Sequence, residues 1–273
     1  MPTVYFCSGL IHRLSPSSAA EYMAMGGRDA YTVTVLLDVN DSQDPDDRAE
    51  ARSYLVADRS SGKAVIIDAV IENVARECTI IRNLGLTLLF AIETHIHADH
   101  ITGASLIKDC TGARIVYGGA AKGMVTGADL FLSDGEEMEV GHTYIQALAT
   151  PGHTECCTSY LVPGAVFTGD TLFIGSNGRT DLQGGSAEKL FESVRCKLFA
   201  LPDETIVYPG HDYNGRMSST IHEEKQFNER LKLSIDKTAF VEMMNGRNVP
   251  PPSKMSIALP ANMRAGRLTD LDA

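Results

Sequence analysis

The sequence predicts an α+β protein in which two β-sheets pack together and helices cover their outer faces. Segments of strand length, rich in β-branched or apolar residues, are followed by segments with helical spacing. This order occurs twice along the chain, which favours two sheet-and-helix halves around shared cores. Clusters of histidine and aspartate also stand directly after several of the strand-like segments.

The first half of the chain alternates strands and helices. Two helices are predicted there: one over residues 71–84, ended by Gly85, and one beginning near Asp99. Residues 86–93 form an apolar run of strand length, which is typical of a strand buried on both faces. The strands predicted in this half are residues 31–39, 51–58, 63–68, 86–93 and 113–117.

The second half repeats the pattern. A helix is predicted to begin after Ser186 as its N-cap, and Thr220 with Glu223 has the spacing of a capping box before another helix. We expect a single domain over residues 1–273, with an N-terminal extension at 1–30 and an irregular C-terminal tail at 247–273. The strands predicted in this half are residues 137–149, 158–162, 164–168 and 205–208.

Composition excludes several classes of protein. The 273 residues carry a net charge of −11, whereas a nucleic-acid surface needs a basic patch. No apolar run approaches the roughly 18 residues of a membrane span, and the N-terminus lacks a secretory signal pattern. The six scattered cysteines are expected to be reduced thiols. We therefore expect a cytoplasmic protein, or one of the mitochondrial matrix if the source is eukaryotic.

The strongest chemical signal is a run of metal-ligand side chains after the apolar strand at 86–93. It contains His95, His97, Asp99 and His100, four potential donors within six residues. In extended chain, positions two apart face the same way, so His95 and His97 can converge. This arrangement predicts a metal site at the end of the strand.

Three further elements carry a potential ligand at a strand end. His153 follows Pro151-Gly152, where glycine permits a tight turn, and Asp170 ends the apolar strand 164–168. His211 follows Pro209-Gly210 in the same way. Each of these is weak alone, but their common position at strand ends favours one shared site.

These motifs resemble the metallo-β-lactamase superfamily, whose fold is an αββα sandwich of two mixed β-sheets with helices on the outer faces. Within it, the chain more closely resembles the ETHE1-type persulfide dioxygenases, also called sulfur dioxygenases. The finer resemblance is carried by residues 95–103, 178–183 and 208–213, and by the tail from Lys254 to Gly266.

The resemblance implies one Fe(II) per chain, bound by His95, His153 and Asp170. Two imidazoles and a carboxylate leave coordination positions open, which suits non-haem iron oxygenases. It also implies oxidation of glutathione persulfide by O₂ to sulfite and glutathione, and a homodimer is expected.

Other residues of the motifs are expected to act beside the iron. His97, Asp99, His100 and His211 are the candidates for positioning ligands and hydrogen-bonding water or substrate. Arg179 is a candidate to bind a glutathione carboxylate through a bidentate ion pair, and a structural salt bridge is the equal alternative for it. Tyr213 is a candidate to hydrogen-bond the peptide part of glutathione.

The alternative function is a dinuclear zinc thioester hydrolase resembling glyoxalase II, on the same fold. Its seven candidate ligands are all present in this sequence. The segment Gly178 to Gln183 and the short tail, which lacks a substantial basic helical domain, favour the dioxygenase.

Overall fold

The computed structural model describes residues 3–7, 21–23, 31–37 and 51–268. Fourteen strands form two mixed sheets over this part of the chain. One sheet has eight strands in the order β2-β1-β3-β4-β5-β6-β7-β8, and the other has six in the order β14-β13-β12-β11-β10-β9. The strands are β1 (Thr3–Cys7), β2 (Glu21–Met23), β3 (Tyr31–Leu37), β4 (Arg52–Asp58), β5 (Lys63–Ile67), β6 (Thr87–Ile92), β7 (Arg114–Gly118), β8 (Leu130–Leu132), β9 (Glu137–Val140), β10 (Thr143–Ala149), β11 (Thr158–Val162), β12 (Ala165–Gly169), β13 (Ile206–Pro209) and β14 (Ser219–Thr220).

Six α-helices accompany the sheets in the described residues. Ser186 caps the third, since its side chain accepts a hydrogen bond from the backbone N–H of Lys189, and a capping box of Thr220 and Glu223 begins the fourth. Both caps confirm the sequence-based predictions. The helices are α1 (Val74–Asn83), α2 (Ala104–Thr111), α3 (Ala187–Glu192), α4 (Ile221–Phe227), α5 (Lys237–Asn245) and α6 (Met255–Asn262).

Three apolar cores define the layers. The central core lies between the two sheets and includes Val56, Ile67 and Phe167. A second core lies between the eight-stranded sheet and α1 and α2, and a third lies between the six-stranded sheet and α3 to α5. Burying each apolar face in this way stabilises the sandwich. The predicted αββα architecture is confirmed.

Several element boundaries differ from the sequence-based predictions. Helix α2 begins at Ala104 rather than near Asp99, because the chain from 94 to 103 is held in an irregular path by distant groups. The strand predicted over 137–149 is a hairpin that turns at Gly141, whose φ of 68° favours glycine. The predicted loop 40–50 lies outside the described residues.

The C-terminal tail is not wholly irregular as predicted. Helix α6 occupies Met255–Asn262 although Pro260 lies inside it, and Ala258 and Ala261 are fully buried. Proline at an interior position removes a helical hydrogen bond, so local propensity alone argues against this helix. Packing against the α2 side of the sandwich stabilises it instead, as contacts of Leu259 and Ala265 with that core indicate.

The described residues contain neither a membrane-spanning helix nor a disulfide. No helix among the described residues is long and apolar enough to cross a membrane. The cysteines at positions 78, 110, 156, 157 and 196 are all free thiols, as expected.

Candidate metal centre

The candidate site lies where several strands end at one edge of the sandwich. Strands β5 and β6 are parallel neighbours in the first sheet, and β12 and β13 are parallel neighbours in the second. His95 follows β6, Asp170 follows β12 and His211 follows β13, so all three emerge at the same edge. His153 arrives there after β10. The structure therefore brings the four sequence motifs together, as their shared position predicted.

His95, His153 and Asp170 form a compact and buried trio. One donor atom from each lies within 4.8 Å of the other two, and all three residues are less than a tenth exposed. His153 Nε2 is 3.6 Å from Asp170 Oδ2. Two imidazole nitrogens and a carboxylate oxygen at this spacing can hold one transition-metal ion.

His95 is oriented by a hydrogen-bonded pair behind it. Its Nδ1 lies 3.0 Å from Thr94 Oγ1, and that hydroxyl donates to Asp68 Oδ2 at 2.8 Å. Because the hydroxyl hydrogen is given to Asp68, Nδ1 of His95 must donate to the Thr94 oxygen, and Nε2 keeps its lone pair. Burial, together with the neighbouring His97, lowers the pKa of His95 well below its ordinary value. The neutral ring is the form that binds a metal.

His153 is fixed by the segment that carries Arg179. Its Nδ1 donates to the backbone carbonyl of Arg179 at 2.7 Å, which leaves Nε2 to face Asp170. Gly152, just before it, has a φ of 146°, and a Cβ there would lie 2.3 Å from the backbone of Leu190. Only glycine fits this turn, as the sequence indicated.

Asp170 is held as a carboxylate in a buried setting. Burial on its own would raise its pKa, but the charge and hydrogen bond of His211 outweigh that effect, and the pKa is lowered. Gly210 and Gly178 allow the backbone of their own segments to approach Asp170 closely. A Cβ on Gly210 would lie 2.5 Å from Asp170 Oδ1, and one on Gly178 would lie 2.3 Å from the Asp170 carbonyl oxygen.

A second group of potential ligands lies beside the trio. Donor atoms of His97, Asp99 and His100 lie within 4.8 Å of one another. Nε2 of His97 is 3.2 Å from Asp68 and 3.3 Å from Glu93. Burial opposes the charged form of His97, yet these carboxylates raise its pKa well above the ordinary value.

Two nitrogens of this second group have no hydrogen-bond partner among the described residues. They are Nδ1 of His97 and Nε2 of His100, both buried. Buried polar atoms are rarely left without a partner, so these two nitrogens can bind an ion or a water molecule. The donors present therefore fit a metal-binding pocket with polar groups beside the metal.

The two candidate substrate-binding residues differ in their surroundings: Arg179 is bound by other protein groups, whereas Tyr213 is exposed. The Arg179 guanidinium binds both carboxylate oxygens of Asp181 at 2.7 Å and also donates to the carbonyls of Val249 and Pro250. Of its two interpretations, these contacts favour the structural salt bridge. Tyr213 is 66% exposed, and its ring lies parallel to the His211 ring with the centroids 6.2 Å apart.

Asp68, Glu93 and Gln183 are buried or partly buried site residues that the sequence-based analysis did not select. Asp68 directly follows β5, the parallel neighbour of β6, so its strand-end position was the available signal. Gln183 donates to the carbonyl of Ile96 at 2.7 Å from a backbone with φ of 50°. The segment 178–183 thus supports the site through backbone contacts, which explains its place in the motif.

Comparisons with known proteins agree with this geometry. Residues 48–211 match the metallo-β-lactamase superfamily. The chain is 42% identical to human mitochondrial persulfide dioxygenase ETHE1 over 220 residues, covering 78% of this chain and 84% of the human protein. It is 30% identical over 263 residues to glyoxylase B2 of Dictyostelium discoideum, covering 82% and 90%. The crystal structure of ETHE1 from Myxococcus xanthus superposes with a TM-score of 0.78 at 41% identity, covering 81% of this chain and 97% of that one.

The fold and the strand-end donors define a member of the metallo-β-lactamase superfamily. Within that superfamily, the chain belongs to the ETHE1-type persulfide dioxygenase family. Membership of this family makes the chain an enzyme of the oxidoreductase class.

Proposed function

We propose that this enzyme is a mononuclear iron dioxygenase that oxidises glutathione persulfide with O₂ to sulfite and glutathione. The observation that carries the proposal is the buried trio of His95, His153 and Asp170, with donor atoms within 4.8 Å. This is the two-histidine, one-carboxylate set of non-haem iron oxygenases. The 42% identity to a persulfide dioxygenase supports the choice of substrate.

The reaction balances without a further reductant. Glutathione persulfide, O₂ and water give glutathione, sulfite and two protons, so the sulfane sulfur is oxidised and O₂ is reduced. One Fe(II) on the trio would supply open coordination positions and a path for electrons from sulfur to O₂, which otherwise react slowly for spin reasons.

The protein residues have separate tasks in this proposal. Thr94 and the Arg179 carbonyl hold the Nδ1 hydrogens of His95 and His153, so both Nε2 atoms face the same point. Asp170 supplies negative charge that offsets the positive charge of the metal.

The second group lies beside the trio, with the His95 and His97 ring centroids 4.1 Å apart. His97 Nδ1 and His100 Nε2 have no partner among the described residues, so they can hydrogen-bond water or a sulfur anion. His211 joins this group to the trio through Asp170.

The alternative remains the dinuclear zinc thioester hydrolase. The unpartnered nitrogens of His97 and His100, next to Asp99, are the observation that favours it, because they could hold a second ion. The similarity to glyoxylase B2, at lower identity, points in the same direction. Against it, both ring nitrogens of His211 are already hydrogen-bonded to Asp170 and Asp99.

An oxygen electrode separates the two functions. We expect the iron-loaded enzyme to consume O₂ when given glutathione persulfide and to release about one sulfite per O₂. The Asp170→Asn variant, which keeps the size of the side chain but removes its charge, should retain the fold and lose most iron and activity. No O₂ uptake, together with rapid hydrolysis of S-lactoylglutathione, would overturn the proposal.

A further inference from the structure

The last residue of helix α6 reaches into the loop that carries the second group of ligands. Asn262 is fully buried, and its Nδ2 donates to the backbone carbonyls of His97 at 2.9 Å and His100 at 2.8 Å. Its Oδ1 accepts the backbone N–H of Thr102 at 2.9 Å. One side chain from the C-terminal tail therefore makes three hydrogen bonds across this loop.

These bonds are needed because the loop has no regular secondary structure. Between β6 and α2, the chain from 94 to 103 pairs its backbone with other segments rather than with itself. Buried carbonyls left without a donor are costly, so Asn262 satisfies two that the loop cannot satisfy alone.

The end of α6 is itself packed tightly on the start of α2. Ser105 donates from both its hydroxyl and its backbone N–H to the carbonyl of Ala265, at 2.6 and 3.1 Å. A Cβ on Gly266 would lie 2.0 Å from the carbonyl oxygen of Thr102. The position of Asn262 relative to the loop is thus fixed by its neighbours.

A continuous set of hydrogen bonds leads from this loop to the trio. Asp99, inside the loop, lies 3.1 Å from Nε2 of His211, and Nδ1 of His211 lies 2.8 Å from Asp170. A shift of the loop therefore moves Asp99, and with it the His211 ring that holds Asp170.

We infer that Asn262 is a positioning residue for the metal centre, and that the C-terminal helix α6 helps to hold the site residues in place. This inference rests on the proposed metal-binding role of the trio. It assigns no contact between Asn262 and metal or substrate; the residue acts through the backbone of residues 97–102.

Cobalt binding to the full chain, after its metal is removed, tests the inference without using turnover. We expect Asn262→Ala to weaken Co²⁺ binding about 10- to 100-fold and to alter the visible spectrum of bound Co²⁺. Asn262→Asp should weaken it at least as much despite its similar size, because it places carboxylate oxygens against two carbonyl oxygens.

A matched control separates positioning from general stability. Asn228, the C-cap of helix α4, is equally buried, and its Nδ2 donates hydrogen bonds to the Ser176 carbonyl and the Glu224 carboxylate. Asn228→Ala should therefore lower the melting temperature but leave Co²⁺ affinity unchanged. Unchanged Co²⁺ affinity and spectrum in both Asn262 variants would overturn the inference. Should those variants fail to fold, Ser105→Ala decides: weaker Co²⁺ binding supports the inference, and wild-type binding overturns it. Wild-type protein that binds no Co²⁺ would instead refute the proposed metal site.

Two further thiols lie outside the two groups of potential metal ligands. A cavity of about 260 Å³ between α1, α2 and β6 is lined by both Cys78 and Cys110. Cys78 is buried and Cys110 is exposed, and the neighbouring Cys110 thiol adds to the effect of burial in raising the pKa of Cys78. Arg82 also lines this cavity.

We also propose that Cys78 and Cys110 form a disulfide by thiol–disulfide exchange with a low-molecular-weight disulfide. The exposed Cys110 thiolate attacks the small disulfide, one thiolate leaves, and a mixed disulfide forms on Cys110. Cys78 then loses its proton and attacks Cys110 Sγ, which expels the second thiolate. Two protein thiols are oxidised and one small disulfide is reduced to two thiols. Burial raises the pKa of Cys78 to about 11, so the second step should quicken with rising pH.

Peptide mapping after incubation with glutathione disulfide tests this reaction. We expect a 78–110 disulfide in the wild type and in Cys196→Ser, the control for an exposed thiol outside the pair. The Cys78→Ser variant should accumulate a mixed disulfide between Cys110 and glutathione. The Cys110→Ser variant should form neither that mixed disulfide nor the 78–110 disulfide. Wild-type protein that keeps both thiols, or that accumulates only the mixed disulfide, would contradict the proposal.

Discussion

Nδ1 of His211 lies 2.8 Å from Oδ1 of Asp170, which makes this histidine a direct support of the candidate metal ligand. Its Nε2 lies 3.1 Å from Asp99, so one ring joins the buried carboxylate of Asp170 to the partly buried carboxylate of Asp99. Burial opposes the charged ring, but the two carboxylates outweigh that effect and raise the pKa of His211 well above its ordinary value. His211 is therefore suited to holding Asp170 in place.

This arrangement predicts different effects for two histidine variants. His153→Ala removes a proposed ligand and should lose most iron, because two protein ligands hold Fe(II) poorly. His211→Ala keeps all three proposed ligands, so it should still load about one iron per chain from excess iron, while its metal affinity and turnover fall about 10- to 100-fold because orientation and hydrogen bonding are lost. Metal content per chain and activity, measured on both variants purified side by side, check this. Halved metal in the His211 variant would favour the dinuclear hydrolase.

A glycine variant should disturb Asp170 without removing any ligand. Alanine at Gly210 would place Cβ 2.5 Å from Asp170 Oδ1, so the carboxylate must shift. We expect Gly210→Ala to retain several-fold less iron than the wild type. Gly246→Ala is the control, because its nearest neighbour is 3.3 Å away and lies at the end of α5. Equal iron in both variants would show that the close approach of Gly210 is unimportant.

The hydroxyl of Thr94 should matter although it is not a proposed ligand. Thr94→Val keeps the shape of the side chain but removes the link between His95 and Asp68. We expect metal affinity to fall about 10- to 100-fold. Thr79→Val, at an exposed threonine of α1, should have no effect on metal binding. Chelator competition on both variants gives the measurement, and equal affinities would argue against the orienting role.

Asp58 predicts how stability depends on pH, far from the metal ligands. Burial alone would raise its pKa, but hydrogen bonds from Ser61, His142 and then Ser60 outweigh it and lower the pKa. A lowered pKa in the folded state means that the stabilisation is present above pH about 4 and is lost as pH falls further.

The Asp58→Asn variant measures that stabilisation. It should lower the free energy of unfolding by about 1–3 kcal/mol at pH 7, because partly buried hydrogen bonds to a charged acceptor are lost. Denaturant unfolding of metal-free protein between pH 7 and 3 should show the gap to the wild type narrowing towards acid. A difference in unfolding free energy that stays constant across that range would show that the pKa of Asp58 is not lowered by folding.

Sequence patterns predicted the parts of the site that follow strands. His95, Asp170 and His211 could be placed together because parallel strands end at one edge, and that rule needs no knowledge of side-chain packing. The two sheets and their outer helices followed from the repeated order of strand and helix patterns.

Contacts between distant segments could not be predicted in this way. Asn262 lies 165 residues from His97, and its helix contains Pro260 after a run of three prolines, so local signals favour irregular chain. Helix α2 starts five residues later than predicted for the same reason, since Asn262 and Gln183 hold the preceding loop from outside. Arg179 likewise could not be assigned until its contacts with Asp181 were known.

We propose that one iron ion, bound by His95, His153 and Asp170, is the catalytic metal of this enzyme. Metal analysis of the full chain, purified without oxygen, tests it most directly. We expect about one iron per chain and little zinc, with O₂ uptake on glutathione persulfide in proportion to iron. Two zinc ions per chain, with no iron-dependent O₂ uptake, would contradict it.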